Sequence, residues 1–149
     1  GRSRTITTTI SIACFALLTS TIGQNVIKPA ENAATSAGLW QAWAPGKVDQ
    51  VLTTGAPVFV DFTAAWCVTC QYNKKTTLAN TEVLADFAAK KVSLLRADWT
   101  RRDPAITAAL AQLGRNGVPV YVLYQAGRAP VVLSEILSVA EVRGALAGL

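Results

Sequence analysis

A chain of 149 residues, 51% hydrophobic and 15% charged, is long enough to bury one core with an appendage to spare. Its net charge of +5 comes from 14 basic and 9 acidic residues spread as short pairs such as Lys74-Lys75, Lys90-Lys91 and Arg101-Arg102. No basic stripe with interleaved aromatics marks a nucleic-acid surface, and three cysteines without a histidine disfavour a zinc site, which needs three or four ligands.

Arg2 and Arg4 precede Thr5 to Ile27, an uncharged stretch with an apolar heart from Ile10 to Leu18. About 20 residues cross a hydrocarbon core, so residues 1–27 are expected to form a transmembrane anchor, although six threonines and two serines dilute the hydrophobicity. A signal peptide is the rival reading, but no A-x-A-like site follows Leu18. Either reading predicts export, and arginines ahead of a span place its start in the cytoplasm. Cys14 then serves as a small apolar residue of the segment. Gly1 in place of an initiator Met suggests an excised or processed piece.

Residues 28–38, rich in Ala, Ser, Thr and Asn, are expected to be a linker. The domain then spans 39–149. Leu39 to Trp43 predicts a short edge strand, with its two tryptophans packing rather than binding, and Pro45 to Thr54 predicts a helix turning Val48, Val51 and Leu52 inward. The apolar run Pro57 to Phe62 predicts a buried strand. A helix from Cys67 to about Leu78 follows, and Asn80 caps another, with Val83, Leu84, Phe87 and Ala88 as its apolar face.

Lys91 to Asp98 predicts a second central strand, and Asp103-Pro104 opens a helix that Gly114 stops. Val118 to Tyr124 predicts a strand, Ala126-Gly127-Arg128 a hairpin turn, and Val131 to Leu133 its antiparallel partner. Ser138 and Glu141 predict a capping box for a last helix. The order βαβαββα implies an α/β domain with a mixed central sheet covered by helices on both faces.

Between the first buried strand and its helix lies Trp66-Cys67-Val68-Thr69-Cys70. Two thiols at this spacing can cycle to a disulfide. Cys67 is the expected nucleophile, because helix N–H groups and the positive end of the macrodipole favour its thiolate. Cys70, one turn further in, is the expected resolving thiol. A structural disulfide remains open as an alternative, as does a non-catalytic module in which the cysteines hold metal between two chains.

Val60-Asp61-Phe62-Thr63-Ala64-Ala65-Trp66-Cys67-Val68-Thr69-Cys70 resembles the thioredoxin active-site segment, and Gly117-Val118-Pro119 resembles the thioredoxin loop that carries a cis-proline. With Arg96 to Thr100 and Gly114 to Tyr121, the chain from about Trp40 to Leu149 is similar to the C-terminal domain of the DsbD family of thiol:disulfide interchange proteins. The resemblance implies a thioredoxin-like fold and an extracytoplasmic protein-disulfide reductase. In that family a membrane domain draws electrons from cytoplasmic thioredoxin, and this domain relays them to oxidised periplasmic partners.

The resemblance also implies roles. Asp61 matches the buried acid that shuttles the proton of the second cysteine, Pro119 matches the cis-proline, and the Val118 backbone is left to pair with a substrate strand. Trp66 shapes the contact surface. No cofactor beyond the Cys67-Cys70 pair is implied, and the partners are protein disulfides or dithiols, with a membrane relay domain of the same parent possible. Val68-Thr69 departs from the usual Gly-Pro between the cysteines, so no reduction potential carries over, and an oxidase, an isomerase or a cytochrome c maturation protein stays open. Lys74 and Lys75 stand where some relatives carry an acid, and are expected to favour the Cys67 thiolate.

Overall fold

The computed structural model describes residues 38–149, so the expectations for the anchor of residues 1–27, for Cys14 and for the linker up to residue 37 lie outside it. The elements run in the order β1 (Gln41–Ala42), α1 (Lys47–Leu52), β2 (Val58–Thr63), α2 (Val68–Lys75), α3 (Thr81–Ala89), β3 (Ser93–Asp98), α4 (Pro104–Gln112), β4 (Val120–Tyr124), β5 (Val131–Val132) and α5 (Val139–Ala147). They form a five-stranded mixed sheet in the order β1-β3-β2-β4-β5. β2 is parallel to β3, and Asp61 stands opposite Arg96; β4 runs antiparallel to β2, with Tyr121 opposite Asp61.

Every residue of β2 is buried, as a strand covered on both faces must be. Its alternation divides the core. Val58, Val60 and Phe62 join Leu95, Ala97, Ile106, Leu110, Val120 and Val122 on one face, with α1 and α4 contributing. Phe59 joins Val83, Phe87, Leu94, Tyr121, Val142 and Leu146 on the other, beneath α3 and α5. The two tryptophans expected to pack do so on opposite faces, Trp40 edge-on to Phe59 at 6.1 Å and Trp43 tilted against Phe62 at 6.2 Å.

Local chemistry sets the boundaries. Asn80 Oδ1 accepts from the N–H groups of Glu82 and Val83, and Asp103 Oδ1 from those of Ala105 and Ile106, so both expected caps form. Ser138 accepts from the Glu141 N–H, but Glu141 does not complete the box, because its carboxylate accepts from the Ser134 N–H at 2.8 Å.

Other elements are shorter than the sequence suggested. α2 ends at Lys75 rather than Leu78, since the Leu78 N–H turns back to the Asn73 carbonyl and drops the Leu78 side chain into the core. β3 starts at Ser93 because Lys91 takes a left-handed φ of 52° at the end of α3. β1 keeps two residues of Leu39 to Trp43, and β4 begins after the cis Val118-Pro119 peptide. Ala88 points to solvent and Leu84 is half-buried, so Val83 and Phe87 carry the inner face of α3.

Candidate active site

β2 delivers the chain through Ala64, Ala65 and Trp66 to Cys67, which is the N-cap of α2. Cys67 has extended backbone angles, and its Sγ accepts from the Cys70 N–H at 3.1 Å. A sulfur in this position takes the place of a capping oxygen, in the field of the first helical N–H groups. Cys67 and Cys70 are joined as a disulfide, with Cα atoms 5.2 Å apart. Their access differs: Cys67 keeps 7% of its surface exposed and Cys70 none. Both pack with Ala64 and half-buried Val118. Among the described residues the Val118 N–H and carbonyl make no backbone hydrogen bond, and the peptide to Pro119 is cis.

The loop after β3 braces the approach to Cys67. Asp98 Oδ1 accepts from both the N–H and the hydroxyl of Thr100, and Thr100 Oγ1 accepts from the Ala65 N–H at 2.8 Å. Those two bonds hold the Asp98 carboxyl below the usual carboxylate range. The Trp66 indole N–H donates to the Thr100 carbonyl at 3.2 Å, and its ring sits 6.1 Å from that of Trp99. Trp66 is thereby fixed while half its surface stays exposed.

Asp61 lies on the sheet face that carries Phe59 and Tyr121, fully buried. Its Oδ2 accepts from Arg96 Nε at 2.9 Å, and its Oδ1 has no partner among the described residues. Burial pushes its pKa up, against the opposing pull of Arg96 and Lys74. The Arg96 guanidinium lies 4.4 Å from the centroid of the Trp40 ring, so one arginine links that indole to the acid. Lys74 and Lys75 diverge. Lys75 is exposed, whereas Lys74 is half-buried, its pKa lowered by burial and supported by Asp61.

Asn73, also fully buried, ties α2 to two other parts of the chain. Its amide donates to the Tyr121 hydroxyl at 2.9 Å and to the Glu135 carbonyl at 2.8 Å, and its carbonyl accepts from the Leu137 N–H at 3.2 Å. Thr77 adds a bond from its hydroxyl to the Leu137 carbonyl.

Cys67, Cys70, Trp66, Val118 and Pro119 thus meet where β2 enters α2, and Asp61 sits deeper in the same strand. The hydrogen bond that Asp61 makes goes to Arg96 and to neither sulfur. Sequence reasoning missed the roles of Arg96, Asn73 and Thr100. Of these only Thr100 carried a local signal, since Asp98-Trp99-Thr100 has the spacing of an Asx turn. No group of three or more His, Cys, Asp or Glu placed to hold a metal occurs among the described residues, and no helix there is long and apolar enough to cross a membrane.

A family model for thioredoxin-like domains matches residues 39–126. The thiol:disulfide interchange protein DsbD of Ralstonia nicotianae is 36% identical over 80 residues, covering 52% of this chain and 13% of that protein. The same protein of Klebsiella pneumoniae is 34% identical over 82 residues, 54% of this chain and 13% of its own length. The chain therefore spans under a fifth of these relatives. Among solved structures, the reduced C-terminal domain of Neisseria meningitidis DsbD superposes with a TM-score of 0.58 at 22% identity, covering 68% of this chain and 89% of that domain, a likeness of fold.

Proposed function

The chain belongs to the thioredoxin-like family, and from that premise we propose that it is a thiol:disulfide oxidoreductase working as an extracytoplasmic protein-disulfide reductase. The observation that carries the reading is the unequal access of two bonded sulfurs, one capping a helix and slightly exposed, the other sealed. In the reduced protein the Cys67 thiolate attacks a partner disulfide, forming one S–S bond to the partner and expelling its other sulfur as a thiolate. Cys70 then loses its proton and attacks Cys67 Sγ, which closes the intramolecular disulfide and releases the second partner thiolate. The pair gives up two electrons and the partner disulfide gains them.

Asp61 is the group we assign to carry the Cys70 proton, as burial raises its affinity for one and its Oδ1 is unengaged. The unpaired Val118 backbone suits an extended partner segment, with Pro119 holding that loop and Trp66 walling the opening. The names of the DsbD relatives support interchange between thiols and disulfides. We further propose that residues 1–27 anchor the chain in the inner membrane and 28–38 link it to a periplasmic domain of residues 39–149, fed by a membrane relay domain.

Stopped-flow reduction of a disulfide-bonded protein tests the core of this reading. Cys67→Ser is expected to lose turnover by about a thousandfold or more; unchanged turnover would overturn it. Equilibration of the pair with glutathione redox buffers sets the direction: a potential well above that of glutathione marks an oxidase and refutes the reductase assignment.

A further inference from the structure

Arg102 follows the loop that braces Trp66, and three features of it have no role in the chemistry above. Its backbone is left-handed, with φ 54°, a conformation that disfavours any side chain beyond glycine or asparagine by about 1 kcal/mol. Its guanidinium lies 4.6 Å from the centroid of the Trp99 ring and 5.2 Å from that of Trp66, the residue immediately before Cys67. It is exposed, and among the described residues no carboxylate pairs with it. The acids at the two ends of its loop are both engaged, Asp98 by Thr100 and Asp103 by the Ala105 and Ile106 N–H groups that it caps.

A guanidinium lying against two aromatic rings is restrained by them while its N–H groups stay free to donate to a further acceptor. Arg102 thus lies beside Trp66, and Trp66 immediately precedes Cys67. Arg101, the residue before it, adds a second exposed positive charge, and residues 39–149 carry 11 basic against 8 acidic residues. We propose that Arg102 is a specificity-determining residue, docking a carboxylate that flanks the disulfide of an acidic partner protein while Cys67 attacks the disulfide itself. The assignment deepens the reductase reading and rests on it. Trp66 and Trp99 hold the cation still beforehand, so little side-chain freedom is lost on docking.

Two small disulfides of opposite character test this on the reduced protein: the dianionic disulfide of thionitrobenzoate and the neutral dipyridyl disulfide. In each, Cys67 bonds to one reagent sulfur and expels the other as a thiolate, and Cys70 displaces the second. The quantity read is the ratio of the two second-order rate constants. Arg102→Gln is expected to lower the dianion-to-neutral ratio about fivefold at low ionic strength, the size of an exposed ion pair. Arg102→Lys keeps most of the ratio. Arg128→Gln, which removes the same charge from the turn at the far end of β4, leaves it unchanged.

A ratio unaltered by Arg102→Gln, or lowered equally by Arg128→Gln, overturns the proposal. The wild-type ratio must also fall as salt rises from about 0.01 M to 1 M, where the screening length shrinks from about 30 Å to 3 Å; a flat profile overturns the proposal without any variant. Failure of wild type to react with either reagent would instead defeat the reductase reading, and the specificity role with it.

Discussion

The two faces of the sheet are built from the same strands and differ in kind. Beneath α1 and α4 the core is wholly apolar, from Val58, Val60 and Phe62 to Leu95, Leu110 and Val122. Beneath α2 it is interrupted by Asp61, Thr63, Asn73 and the hydroxyl of Tyr121, of which Asp61 Oδ1 and Thr63 Oγ1 have no partner among the described residues. Unpaired buried polar atoms cost stability. One face therefore serves cohesion, while the face under the disulfide gives up some of it to keep ionisable and hydrogen-bonding groups near the sulfurs.

Substitutions on each side can break this contrast. Leu110→Ala, on the apolar face, is expected to cost about 3 kcal/mol in denaturant unfolding with turnover per folded molecule within about twofold of wild type. A matching fall in turnover would mean that the faces are not separable. Asp61→Asn should do the reverse, slowing the resolving step in single-turnover stopped flow about a hundredfold, equivalent to about 2.7 kcal/mol.

Its stability follows pH with a definite sign. Folding raises the Asp61 pKa, so the stability this group contributes is full below its ordinary value of 3.8 and is lost as pH rises through the folded value. Asparagine does not titrate. The stability of the variant minus that of wild type should therefore increase as pH climbs, and a decrease would show that Arg96 and Lys74 outweigh burial. Tyr121→Phe, the smallest effect, removes one acceptor of the Asn73 amide and should cost about 1 kcal/mol, read by denaturant midpoint. A neutral result would mean that Asn73 holds α2 through its two loop bonds alone.

What could be read beforehand was whatever is encoded by neighbours in sequence. The alternation through Val58 to Phe62, the caps at Asn80 and Asp103 and the cysteine pair at a helix start all depend on residues within a few positions of one another. Asn73 lay beyond such reasoning because its partners stand 48, 62 and 64 positions away. Arg96 did too: pairing with Asp61 follows from the register of β2 on β3, which no local pattern specifies. Glu141 was misjudged for a related reason, since a nearby loop N–H at Ser134 outcompeted the helix terminus for its carboxylate. Lys74 and Lys75 read alike in sequence, and only the helical phase set one facing the acid and the other facing solvent.

The sheet ends on β1 at one border and β5 at the other, each two residues long. Stubs of that length give a stray polypeptide almost no ladder to extend, which guards against runaway fibre growth from a molecule whose surface carries Trp66, Val68, Tyr72 and Ile136 in the open. Stickiness is thereby confined to side chains, where contacts form and dissolve quickly, and kept away from the backbone, where they would persist.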